Sequence, residues 1–175
     1  MIWESSDWKE PLLKSAKWLR SVKFSDRTQE KTFVRIEKEL FIGFYSIRKL
    51  LETLKVSDST KKLTFELEWY PNKEPVHDLN WHHLDRLYDL SSRHSETRDI
   101  GFLCNQFIHS YVFVVAGDAE IEGVYIASDK IRNKKVYFVS LQNILRAFRV
   151  VGRDYPANLQ ITRDPVTGET RGSAW

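Results

Sequence analysis

The chain has a single cysteine, Cys104, in 175 residues. That excludes an internal disulfide framework and argues against a thiolate metal centre. Its apolar runs fall short of the ~18 residues needed to span a bilayer, and the opening MIWESSDWKE lacks the basic and apolar regions of a signal peptide. A cytoplasmic protein with no membrane partner is therefore expected. Charge of one sign is also scarce. Lys and Arg number 27 against 24 Asp and Glu, a net +3, and a pI near 8.9 permits an anionic partner without demanding one. No glycine-rich phosphate loop, serine nucleophile elbow or dinucleotide fingerprint occurs, which argues against nucleotide hydrolysis by a familiar route.

Apolar and aromatic residues are abundant. At 42% hydrophobic, with six Trp, seven Tyr and ten Phe, the chain is no disordered protein, and its length suits one domain with a real core. Trp8, Leu12, Leu13, Ala16 and Leu19 predict a helix from Glu10 to about Lys23, because Pro11 is tolerated only near a helix start. After SDRTQE, with a cap at Asp26, the residues Phe33, Ile36, Leu40, Phe44, Ile47, Leu51 and Leu54 hold one helical face. Glu37 and Arg48 border that stripe, as partners of other helices or as site residues, and a structural ion-pairing role is expected of each. LTFELEW alternates and predicts a half-exposed strand, and Asn80 is placed to cap a third helix through Leu84, Leu87 and Tyr88.

Across 95–115, Ile100, Leu103, Cys104, Phe107, Ile108, Tyr111, Val114 and Val115 share one broad face at ~100° per residue. This predicts a long central helix. IEGVYIAS and KKVYFVS, joined by DKIRN, predict a hairpin. Ser140 caps a closing helix carrying Leu141, Ile144, Leu145, Phe148 and Val151, with Gly152 as a left-handed C-cap. The expected fold is mostly α: a helical bundle of about five helices with a small antiparallel β-hairpin or sheet at about 120–140. It forms a single domain over 1–152. The remainder, 153–175, is expected as a partly flexible arm with NLQIT as a further strand and DPVTG as a turn.

Opposite the core stripe of the central helix lie Arg98, Asn105 and His109, flanked by Phe102 and Phe113. Asn105 and His109 are one turn apart and point the same way. The run from Asn105 to His109, Asn-x-x-x-His inside an apolar helix, resembles the distal part of the motif of the HEPN superfamily, small helical domains many of which are metal-independent ribonucleases. The resemblance extends loosely to the helix from about Phe33 to Leu54. It implies an RNA-binding or assembly module, in a setting such as bacterial defence or a toxin–antitoxin pair. It also implies a homodimer through the Phe102, Asn105, His109 and Phe113 face. Where the family carries arginine before the polar residue, this chain has Cys104, on the core stripe. Arg98 shares the face of His109 but lies about 16 Å from it along a helix axis. A non-catalytic module is therefore expected. The alternatives are a metal-independent endoribonuclease using His109 and Asn105 with Arg98 or a second subunit's arginine, and a protein–protein interaction domain with no nucleic-acid role.

Two further clusters carry chemistry. His77, Asp78, His82, His83, Asp85 and His94 match no compact metal spacing, so no metal and no other cofactor is expected. Arg132, Lys134 and Lys135 at the hairpin tip, with Arg146, Arg149 and Arg153 on the next helix, concentrate positive charge in the C-terminal third. Tyr125 and Tyr137 interleave aromatics with them, the combination that holds RNA or single-stranded DNA.

Overall fold

The computed structural model describes residues 2–168 and 170–175; position 169 of the expected arm, and position 1, lie outside the described residues. In chain order the elements are α1 (Ser6–Ser21), α2 (Glu30–Leu51), the single turn α3 (Asp58–Lys61), β1 (Thr64–Pro71), the single turn α4 (Leu84–Leu87), β2 (His94–Asp99), α5 (Ile100–Ile108), β3 (Ser110–Ala116), β4 (Gly123–Ser128), β5 (Lys135–Ser140), α6 (Leu141–Arg153), β6 (Leu159–Arg163) and β7 (Thr170–Ala174). Strands β1 to β5 form one antiparallel sheet in the order β2-β1-β5-β4-β3. The fold is α+β, which overturns the expectation of a mostly α bundle with a minor hairpin.

The correction centres on 95–115. That stretch is β2, then α5, then β3, with only His109 between the last two. Asp99 starts the helix, its carboxylate accepting the Phe102 amide at 2.6 Å. The helical spacing of Tyr111, Val114 and Val115 merely continues the core stripe of α5 past its end. The run SYVFVV is β-branched and aromatic, and such residues pack best on a pleated surface. The resemblance to HEPN domains falls with the long helix, because Asn105 and His109 close a nine-residue helix that leads into a five-stranded sheet. Among the described residues no helix is long and apolar enough to cross a membrane.

Alternation along the strands divides the sheet into two faces. Phe65, Leu67, Phe113, Val124, Ile126, Tyr137 and Val139 join the main core beneath α1, α2, α5 and α6. Tyr70, Val112, Ala127 and Val136 point the other way and join a smaller core with Val76, Leu87 and Tyr88 from the 72–93 connection. A β-bulge between Ser110 and Val112 turns Tyr111 toward that second core as well. The connection is held by side chains rather than by a helix. Asn72 Nδ2 donates to the carbonyls of Glu74 and Leu87 at 2.7 and 2.9 Å, Asn80 braces His77 and Pro75, and the buried Tyr88 hydroxyl donates to Arg132 O at 2.7 Å. Asn80 thus stabilises a loop where a helix cap was expected.

β1 pairs with β5 only from Glu68 to Pro71, because β5 ends at Ser140, whose hydroxyl caps α6. α6 supplies what the lost ladder would have supplied. Asn143 Nδ2 donates to Glu66 O at 3.0 Å and Arg146 Nη1 to Thr64 O at 3.1 Å. Lys9, with no solvent exposure, donates to Lys55 O at 2.6 Å and to Asp154 O, tying α1 to the segments after α2 and α6. Gly152 lies inside α6 without a left-handed conformation. Its use is close approach, since a Cβ there would meet Leu13 at 2.8 Å and Lys9 O at 3.2 Å. The C-terminal arm forms the hairpin β6–β7, seated by Gly172 against Leu54 and by the buried Ala174.

Gly43 lets Phe148 approach α2 closely, for a Cβ there would overlap its ring. Overpacking of this kind costs ~1–3 kcal/mol, against a helix-propensity gain from alanine of about 1 kcal/mol. Gly43→Ala is therefore expected to lower the urea midpoint, and Gly43→Ala with Phe148→Leu to recover part of the loss relative to Phe148→Leu alone. Additive effects of the two changes would contradict the contact.

Candidate functional site

The more open half of the sheet's second face is bordered by two concavities. One cross-strand row runs over all five strands there: Ser95, Glu68, Phe138, Tyr125 and Val114, each the register partner of the next. None of the five is buried. At the β2 end the row borders a concavity of ≈ 450 Å³ lined by Glu66, Glu68, Arg93, His94 and Ser95. At the β3 end it borders a cavity of ≈ 650 Å³, walled by His82 to Arg86 and Leu90 and floored by Val114, Val115, Ala116 and Tyr125. Tyr70 and Phe138 stand beside Tyr125, with ring centroids at 6.0 and 5.1 Å. Burial pushes the Tyr125 hydroxyl up from its ordinary range, and the carboxylates of Glu68, Asp85 and Glu122 push it further. Arg86 lines the cavity but is paired with Glu74 at 2.7 Å, and Glu68 accepts from Arg93 and Tyr70 at 3.2 and 3.1 Å. Asp85 and Glu122 have no ion pair among the described residues, so the aromatic floor sits in a negative field.

A second polar constellation lies on the helix-covered face, near the β2 edge. Glu96 accepts from the Tyr137 hydroxyl, from Lys135 Nζ at 3.0 Å and from Arg98 Nη2 at 3.1 Å. Burial raises the Glu96 carboxyl, but these three donors outweigh it and hold the group below its ordinary range. The Tyr137 hydroxyl is raised, by burial first and then by its bond to Glu96. Lys135 Nζ lies 4.1 Å from the centre of the Trp69 ring, which stacks on His94 at 4.2 Å. Arg98 Nε is the buried side-chain nitrogen without a hydrogen-bond partner among the described residues, and its guanidinium rests 4.7 Å from the Phe102 ring. Apart from that nitrogen the cluster's polar groups are paired with one another, a clamp fastening a polar edge strand to β1 and β5, and it offers no free nucleophile.

The residues singled out by sequence are dispersed. Asn105 and His109 are exposed at the two ends of the last turn of α5, and Arg98 is bound into the Glu96 clamp. Cys104 is fully buried, with burial pushing its thiol up to about 12. Arg48, expected in a structural ion pair, meets Glu52 at 3.0 Å and Asn105 Oδ1 at 3.4 Å. Phe102 packs edge-on to Tyr137 and Phe113 tilts against Phe41. Of the six cations, Arg132 lies 3.6 Å from the Tyr111 ring and pairs with Asp129, Lys135 pairs with Glu96, and Arg146 caps β1. Lys134 sits at the opposite end of β5 from Arg149 and Arg153, roughly 20 Å away along the strand. Tyr125 and Tyr137 point to opposite faces. Asp78 accepts from Tyr111, His82 and His83 face each other at 4.0 Å, and His94 stands on the far edge strand. Among the described residues no three His, Cys, Asp or Glu side chains converge as a metal would require. The cross-strand row was missed because its members come from five separate strands. The local signal was the outward set Thr64, Glu66 and Glu68 on LTFELEW.

Comparison with family models, with curated proteins and with solved structures finds no match for this chain. The reading of function therefore rests on the geometry.

The Glu96 clamp has a pH signature. The folded pKa of Glu96 lies below the unfolded value, near 4.3. Its stabilisation is thus present above that range and is lost as pH falls through the lower folded value. Glu96→Gln is expected to cost on the order of 1–3 kcal/mol at pH 7, by leaving Lys135 and Arg98 without their anion, and the gap to wild type should narrow at pH 3. Urea midpoints at the two pH values check this. An unchanged gap would remove the electrostatic explanation.

Proposed function

We propose that this chain is a non-catalytic protein-binding module that takes an extended, basic segment of a partner along the outer edge of β3. The observation that carries this is the free end of the cross-strand row. β3 is a terminal strand, paired with β4 on one side and with no strand on the other among the described residues. Its sequence SYVFVVA is nearly all apolar, and an apolar edge of that kind is a template for strand addition. A sixth strand would continue the row past Val114, so that its alternate side chains reach the cavity beside Tyr125, His82, His83 and Asp85. Asp118 and Glu122 follow the edge directly, while Glu120 between them is engaged by Lys23. Together with Asp85 they favour a basic segment over an acidic one, and Tyr125 offers a ring face to a cation.

The test uses a strand-length peptide alternating Val with Lys, the same peptide with Glu for Lys, and the Lys peptide with alternate backbone nitrogens methylated. The Lys peptide is expected to bind in the micromolar range and to slow exchange of β3 amides, with the methylated and Glu forms roughly tenfold weaker or worse. Equal binding of the methylated form would defeat strand addition. Tighter, steeply salt-dependent binding of an RNA oligonucleotide would favour the nucleic-acid alternative instead.

A second reading rests on Arg48, which brings a guanidinium against Asn105, one turn from His109. That supplies an arginine of the kind a metal-independent ribonuclease would need. The Glu52 carboxylate already occupies Arg48 Nε at 3.0 Å, and no cleavage of transfer RNA is expected from the purified protein. Cleavage that disappears in both His109→Ala and Arg48→Ala would replace the binding-module reading with the ribonuclease.

A further inference from the structure

α1 and α2 are each seated on a different neighbour. α1 packs on α6, where Gly152 lets Leu13 approach, while α2 packs on α5 through the stacked rings of Phe44 and Phe107 at 3.8 Å. A groove of ≈ 470 Å³ remains between them. Its apolar lining includes Leu12, Val34 and Ile42, and the last two are 46% and 63% exposed. They are large apolar side chains left open about two turns apart on one helix, outside both core clusters, the kind of exposed patch that marks an interaction surface.

The groove's charge is one-sided. Lys31, Arg35 and Lys38 line it, against the single carboxylate of Glu39. Glu39 is already engaged, accepting from Ser15 Oγ and pairing with Arg35 at 3.4 Å. Arg35 is further fixed 3.9 Å over the Trp18 ring. Lys31 and Lys38 have no ion pair among the described residues, so two cations flank the exposed Val34 and Ile42. A groove walled by two helices accepts a third by ridge-into-groove packing. A helix with apolar residues at i, i+4 and i+8 matches the eight-residue spacing from Val34 to Ile42, and carboxylates on its flanks would answer the lysines.

We propose that the α1–α2 groove receives an acidic amphipathic helix of a partner protein. This surface is separate from the β3 edge and stands or falls without it. The experiment follows amide shifts of the isotope-labelled full chain on titration with a designed helical peptide bearing Leu at those positions and Glu on its flanks. A second peptide carries Lys in place of Glu. Shifts should gather on residues of α1 and α2, with the Lys peptide, and the double variant Lys31→Glu/Lys38→Glu, each weakening binding roughly tenfold or more. Ile42→Asp, a change at an exposed position, should weaken the Glu peptide as well while leaving the thermal midpoint near wild type. Equal binding of both peptides, no binding of either, or shifts that gather elsewhere would overturn the proposal. So would stronger association with vesicles of equal parts phosphatidylcholine and phosphatidylglycerol, which would make the groove a membrane contact. Sedimentation as a dimer that Ile42→Asp dissociates would assign it to a second copy.

Discussion

The rings of Phe44, Phe107 and Phe148 hold this fold together. Phe44 stacks flat on Phe107 at 3.8 Å and receives Phe148 edge-on at 5.3 Å. Three helices, α2, α5 and α6, thereby meet at one point over the sheet. All three rings are essentially inaccessible to solvent, and aromatic pairs in such geometry add about 0.5–1.5 kcal/mol beyond their buried area. Gly43 is the reason Phe148 can come so close to α2. Once α6 is placed there, Asn143 and Arg146 fall against the unpaired carbonyls of β1, and α1 is left to pack on α6.

The consequence is a sheet with unequal faces. One is sealed by the helices. The other is covered at the hairpin-tip end by the 72–93 connection, through Val76, Leu87 and Tyr88, and is more open at the other end, where Phe138, Tyr125 and Val114 are only half-buried. The two edges differ as well. β2 reads HSETRD and is pinned by the Glu96 clamp, a polar edge of the kind that resists pairing. β3 is apolar and unguarded. Sidedness of the sheet, rather than any catalytic constellation, is what directs attention to binding.

Cation placement makes the same point from another direction. Six basic residues in the C-terminal third read as one surface, yet three have local duties, on Tyr111, on Glu96 and on the carbonyl of Thr64. The others are separated by the length of β5. Uncommitted lysines sit instead on α2, beside exposed Val34 and Ile42.

Much of the local structure was legible in the chain. The stripe from Phe33 to Leu54, of which Leu54 falls beyond α2, the alternation of LTFELEW, the strands around DKIRN and the Ser140 cap depend on nearest neighbours along the helix or strand, and each is present with shifts of boundary. Sequence also determined that Cys104 and Phe107 face inward, because an apolar stripe buries whatever it packs against. The extent of the sheet was a tertiary decision. Residues 95–115 satisfy a helical period throughout, and only pairing of β2 with β1 and of β3 with β4 breaks that period into strand, helix and strand. The free β3 edge, the cross-strand row and the α1–α2 groove were decided there too. Each is assembled from residues far apart in sequence, and no local periodicity encodes which strand ends a sheet or which two helices part.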